Sequence, residues 1–257
     1  MEGPQNRPSY EPDHVPAGAP DPEVRLSAVQ RLVKAFHAPG EVFEDIRVKP
    51  SWLVVLLVIG LAVFAVLVVT MSHIDLAETI RQDAERRGRE ITEEQLEQAV
   101  EFMSKPFFRY LQPAAGFFLY PLGIALVALV FFLGLKLAGS ESSYSRILSM
   151  TAHAYWPPTL VSCILGGILI SRVGMITGSD AQTLVKSNLG AFLDPSSAPW
   201  VLALARSVDI FNIWIIALTV IGLTITGRVS RTVAATVAGV SWFSYLAIKI
   251  VWAAIFG

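Results

Sequence analysis

One cysteine and four histidines are too few to build most reactive sites into a 257-residue chain. Cys163 stands alone, which excludes an intrachain disulfide and any cysteine-based metal site. It falls inside an apolar run, where a free thiol packs as a small hydrophobe. The histidines (His14, His37, His73 and His153) are scattered along the chain. No HExxH, GxSxG, Walker A, GxGxxG or CxxC pattern occurs. An intramembrane hydrolase needs a nucleophile beside a base, or paired carboxylates at bilayer depth. Neither is found, so a non-enzymatic protein without cofactor or metal is expected. His73 and Asp75 lie together after the first apolar run and read as a solvated helix start rather than as metal ligands. His153, ahead of Tyr155 and Trp156, reads as part of an interfacial aromatic belt.

Charge is also scarce. Only 16% of residues are charged, against about 25% in a soluble domain. The net charge of −1 supplies no bulk field for nucleic acid. The shortage is concentrated in blocks long enough to cross a hydrocarbon core, which takes about 20 helical residues. Five are read: 52–71, 114–135, 154–171, 208–226 and 233–256. The third is the weakest, being short and opening on Trp156-Pro157-Pro158. No signal peptide is visible, and the first block follows a helical preamble, so it stays as an anchor.

Between the spans the chain changes character. Residues 1–22 hold six prolines and few apolar side chains, and such a segment does not bury enough surface to offset its ordering entropy. Within 23–51, Val24, Leu26, Val29, Leu32, Val33 and Phe36 recur at helical spacing, with Arg25, Arg31 and Lys34 between them. Pro39-Gly40 breaks the pattern, and Val42, Phe43 and Ile46 share a second face. These two short helices either lie in the headgroup layer or pack on the bundle. Residues 72–112 read as a helical hairpin outside the lipid. Its first helix ends near Gly88, its second opens on a capping box at Thr92, and Pro106 stops it. Nine acidic and six basic residues there suggest a solvated surface. Residues 172–207 read as two short interfacial helices, the second running into the fourth span.

Five spans place the termini on opposite sides. Lys34, Arg47, Lys49, Lys136, Arg146, Arg228 and Arg231 lean the assignment toward an inside N-terminus. More basic residues stand on the other side, spread over longer segments.

The last two spans each carry one charge, Asp209 and Lys249. Folding the chain back at 227–232 brings the two to one depth near one membrane face. Three readings are open: a structural ion pair, separate snorkelling to that interface with Arg206 as rival partner for Asp209, or a polar site on an ion or proton path. Gly222 and Thr226, Ala235 and Gly239, and Gly134 and Ala138 have the small-xxx-small spacing of close helix contacts.

Several stretches resemble one family. Phe36 to Phe43, with Pro39, Gly40 and Phe43, followed by Lys49-Pro50-Ser51-Trp52, resembles the entry to the membrane domain of bacterial Yip1 family proteins. Ser145 to Pro157 is similar to the stretch before their third span. The block Asp209-Ile210-Phe211-Asn212-Ile213-Trp214, with Ile221-Gly222-Leu223 and 227–231, looks like their closing hairpin. The resemblance covers about residues 30–257. It implies an all-α, five-span integral membrane bundle with a cytosolic N-terminus and an outer C-terminus, in a bacterial cytoplasmic membrane. Eukaryotic members are linked to Rab GTPases and to early secretory traffic. The hydrophilic hairpin at 72–112 departs from their compact loops, so that role is not carried over. The expected activity is that of a scaffold or adaptor engaging the lipid bilayer, other membrane proteins and a second copy of itself. The alternative is a small transporter or channel with a polar site at Asp209 and Lys249.

Overall fold

A computed structural model describes residues 26–194 and 197–256; the Pro-rich stretch 1–22 lies outside them. The described residues are helical, with two isolated bridges and no strand. Five helices are long and apolar enough to cross a membrane: α3 (Leu53–Met71), α6 (Pro106–Leu137), α7 (Tyr144–Arg172), α10 (Ile210–Gly227) and α11 (Arg231–Phe256). Ahead of them come α1 (Ala28–Lys34) and α2 (Pro39–Val48). Between them lie α4 (Leu76–Arg86), α5 (Glu93–Ser104), α8 (Gly178–Thr183), a 3-10 turn (Leu189–Phe192) and α9 (Pro199–Ser207). We call the end of the bundle that carries α4, α5, α8 and α9 distal, and the end that carries α2 proximal.

α7 lies at the centre, packed on α3, α6, α10 and α2. Its buried face fills two hydrophobic clusters. One joins Val55, Ile59, Ile124, Ala128 and Trp156 from α3, α6 and α7, with Ala35. The other joins Val42, Phe43 and Ile46 of α2 to Leu135, Ile147, Met150 and Leu223. In this second cluster α2 occupies the place that α3 holds in the first.

The two open readings of the preamble are therefore resolved for α2: its apolar face packs on the bundle. Val42, Phe43 and Ile46 are 0–1% exposed. Each stabilises by about 1.5–3 kcal/mol relative to exposure to water. Pro39 stands in the first turn of α2, where a missing N–H costs nothing. The turn between α1 and α2 is wedged in place by Phe36, edge-on to Trp156 and to Trp214 at 6.3 and 6.4 Å. α1 keeps Val29 and Val33 exposed, while its Arg31 is buried.

Several boundaries differ from the sequence reading. Residues 144–153 belong to α7, so this span starts ten residues before the expected 154, and Pro157 and Pro158 lie inside the helix. Three polar side chains of that first stretch are satisfied by their own helix. Ser149, Thr151 and His153 each donate to the carbonyl four residues earlier, at 2.7–2.8 Å. His153 is accordingly buried, not in an interfacial belt. Pro106 does end α5 but is also the first residue of α6, which runs from there through the whole second span. The hairpin forms as its caps require: Asp75 accepts from Glu78 N, Gly88 turns the chain at φ 62°, and Thr92 and Gln95 close the capping box. Among the described residues of 172–207, α9 is the longest separate helix; those before it form α8 and the 3-10 turn.

Of the small-residue pairs, Gly222 carries a contact that needs its missing side chain. A Cβ there would stand 2.4 Å from Met150 Sδ and 3.3 Å from the Phe43 ring. Gly239 has open space beside it.

Candidate functional site: the polar neck and cleft at the distal end

α9 stops at Ser207 and α10 starts at Ile210, so the chain between them is a sharp neck rather than one continuous helix. Residues 187–189 pair with it: Leu189 N donates to Val208 O at 3.2 Å and Ile210 N to Ser187 O at 3.1 Å. An antiparallel bridge joins Asn188 and Asp209.

Asp209 is the N-cap of α10. Its Oδ1 accepts from Phe211 N at 2.7 Å and Asn212 N at 3.3 Å, and its Oδ2 accepts from the Ser187 hydroxyl. A carboxylate at this position satisfies orphan helix donors and meets the positive end of the helix dipole. Lys249 approaches the same neck from α11. Its Nζ donates to Ser207 Oγ at 3.0 Å, and Asn212 Nδ2 donates to the Ser207 carbonyl at 3.4 Å. The two charges thus converge on one neck but take separate partners. Among the described residues no ion pair joins them.

Beside the neck a polar cleft of about 870 Å³ opens between α4, α8 and the segment 186–206. α4 and α8 are clamped together. Asp75 N donates to Ile176 O at 2.8 Å, Gly178 N to Thr79 Oγ1 at 3.2 Å, and Ser179 Oγ to Gln82 Oε1 at 3.1 Å. The facing wall presents Lys186 and Arg206. No group of three metal-ligating side chains occurs among the described residues. His73 and Asp75 serve the local backbone instead: His73 Nδ1 bonds Val69 O at 3.0 Å and Asp75 caps α4.

The remaining residues singled out by sequence lie elsewhere. Phe43 of α2 lies in the second hydrophobic cluster, Trp214 of α10 packs against that cluster, and Phe36 stands edge-on to Trp214. Phe211 contributes its backbone N–H to the cap, and Gly40 has nothing near its missing side chain. Sequence reasoning missed Ser187, Ser207, Lys186 and Gly190. Serines that partner a residue 22 or 42 positions away leave no local pattern.

The two halves of the closing motif therefore do different work: Asp209 starts the helix at the distal neck, and Trp214 and Gly222 receive the N-terminal hairpin formed by α1 and α2. Comparison with curated proteins and with solved structures finds no match. A family model described as the Yip1 domain matches residues 33–253. That span takes in α2, the first four membrane helices, the distal neck and α11 up to residue 253, and the chain belongs to the Yip1 domain family.

Proposed function

We propose that this protein is a non-enzymatic membrane scaffold or adaptor that engages lipid and other membrane proteins. The observation that carries this reading is the free flank of α11. Only 11% of its apolar window is buried, and Val240, Phe243, Ile248, Val251 and Ile255 stand 57–69% exposed. The open space at Gly239 and the exposed Ala235 leave this flank shallow enough for another helix backbone to approach. Such a flank suits a partner helix or a second copy of the chain. In the same reading Asp209 and Lys249 form a structural clasp that ties α9, α10 and α11 at the neck. The membrane is a bacterial cytoplasmic one, with the proximal end, which carries α2, inside and the C-terminus outside.

A photo-crosslinker at position 243, with one at buried position 223 as control, tests the adaptor role in native membranes. Discrete protein adducts at 243 support it; adducts to lipid alone would end it.

A transport reading draws on the cleft, because Arg206 and Lys249 bring cationic groups to the end of the span. Against it, the interior beyond the neck is filled by Leu218, Leu223, Met150 and Phe43. The Thr224 and Thr226 hydroxyls are turned to their own helix at 2.8 and 2.7 Å. Flux of protons or inorganic ions in proteoliposomes that is abolished by Lys249→Met would favour transport over the scaffold.

A further inference from the structure

We propose that the distal cleft binds a phosphate group, presented either by a phospholipid headgroup or by a soluble phosphate. This holds whether or not the protein is an adaptor.

Three observations meet here. The first is charge. Lys186 and Arg206 line one wall of the cleft, Lys249 reaches Ser207 next to Arg206, and the neck carboxylate, Asp209, is already occupied by the α10 cap and Ser187. Neither Lys186 nor Arg206 has an ion pair among the described residues. On the opposite wall Asp83 faces Arg86 at 3.8 Å, and Asp180 is held in the Thr177 capping box. Glu85 is the lining carboxylate left, and it is solvent-exposed on α4. Like charges brought together without a counterion are unfavourable, and a bound anion removes the conflict.

The second observation is that Arg206 is seated. Its aliphatic stem lies across Gly190, where a Cβ would come within 2.4 Å of Arg206 Cγ and 3.1 Å of its backbone N. Only glycine permits this approach, so the stem runs along the cleft wall while the side chain as a whole stays solvent-exposed, open to a ligand. Beside the same stem, Asn188 Oδ1 is buried without a hydrogen-bond partner.

The third is level. Leu189, Phe192, Trp200 and Leu204 are exposed apolar side chains of the same segment. A short helix with such a face lies in the plane of the interface. Its basic residues then stand at the depth of lipid phosphates. Arginine matches phosphate oxygens bidentately and lysine adds a point charge.

The test uses the full chain purified in maltoside detergent, with bound species counted by native mass spectrometry. The probes are phosphatidylglycerol, diacylglycerol with the same acyl chains, and inorganic phosphate. The wild type is expected to retain phosphatidylglycerol at least about tenfold better than diacylglycerol, the ratio that one charge-assisted hydrogen bond supplies. Lys186→Gln/Arg206→Gln should remove that preference, Gly190→Ala should weaken it by displacing the Arg206 stem, and Arg89→Gln, outside the cleft, should leave it unchanged. Displacement of the lipid by inorganic phosphate assigns the site to soluble phosphate; persistence of the lipid assigns it to the headgroup. Equal retention of phosphatidylglycerol and diacylglycerol without phosphate binding overturns the proposal. So does undiminished phosphate-group binding by the double variant. If that variant does not fold, Arg206→Gln alone decides by the same criterion.

Discussion

The Arg31 Nε lies 2.7 Å from Asp45 Oδ2, with the two side chains only 4% and 9% exposed. This pair ties α1 to α2, and the Arg31 guanidinium also bonds the Ser51 hydroxyl at the entrance to α3. A buried pair adds little net stability once desolvation is counted, but losing one partner strands the other charge. Asp45→Ala is therefore expected to destabilise by about 3–5 kcal/mol. The double change Arg31→Met/Asp45→Leu should recover most of that loss. Chemical unfolding of the purified protein measures both, and a double variant as unstable as the single one contradicts the assignment.

Gly222 makes room for the hairpin. Met150 is fully buried, so its side chain yields to a new methyl group only by shifting against its core neighbours. Gly222→Ala should cost about 1–3 kcal/mol, the usual penalty for overpacking. The damage should appear first in α2, because Phe43 is the other neighbour of the new methyl group. Limited proteolysis at the hairpin is expected to accelerate ahead of global unfolding; simultaneous loss would show that the hairpin is not the first element released.

The Lys34 ammonium beside Glu41, at 2.5 Å, holds the Glu41 carboxyl below the ordinary carboxylate range, first through the hydrogen bond and then through its charge. A depressed folded value means the contribution is complete above the ordinary carboxylate range. It is lost as pH falls through the depressed value. Because the pair is exposed, salt weakens it. Comparing the thermal stability of wild type and Glu41→Gln should show a gap at neutral pH that closes on acidification and narrows in high salt. A gap that widens in acid would reverse the sign.

At the neck, Asp209→Ala should cost about 1–2 kcal/mol as a lost helix cap, whereas Asp209→Asn keeps an acceptor and should cost less. Since Lys249 bonds Ser207 rather than Asp209, a double-mutant cycle of Asp209→Asn with Lys249→Met should give a coupling below about 0.5 kcal/mol. A coupling of 1 kcal/mol or more would restore the direct ion pair.

How far the sequence was readable depended on where polarity was spent. α3 and α6 were evident because long runs such as 53–71 hold no charge at all. The start of α7 was concealed: Ser149, Thr151 and His153 look like a loop until each is seen bonding its own helix. Amphipathic spacing in 39–48 identified the buried face of α2 but not the surface it meets, since Met150 and Gly222 are distant in sequence. At the neck, depth arithmetic set Lys249 level with Asp209, and Lys249 bonds Ser207, two residues before Asp209. The partner Ser207 escaped notice because a lone serine beside a span end carries no pattern of its own.

The hairpin's position also sets an order of events during synthesis. α2 leaves the ribosome early, but Gly222 and Trp214 follow roughly 180 residues later. At about 5–20 residues per second, the face formed by Val42, Phe43 and Ile46 waits on the order of ten to forty seconds for its seat. During that interval an amphipathic helix finds cover in the headgroup layer. Ribosome-bound chains stalled after Arg172 should leave a cysteine at position 43 open to a membrane-permeant label, and full-length chains should protect it. Protection already at the stalled length would mean α7 alone suffices. An early-made segment is thus expected to dock late, with completion of α10 as the event that commits it.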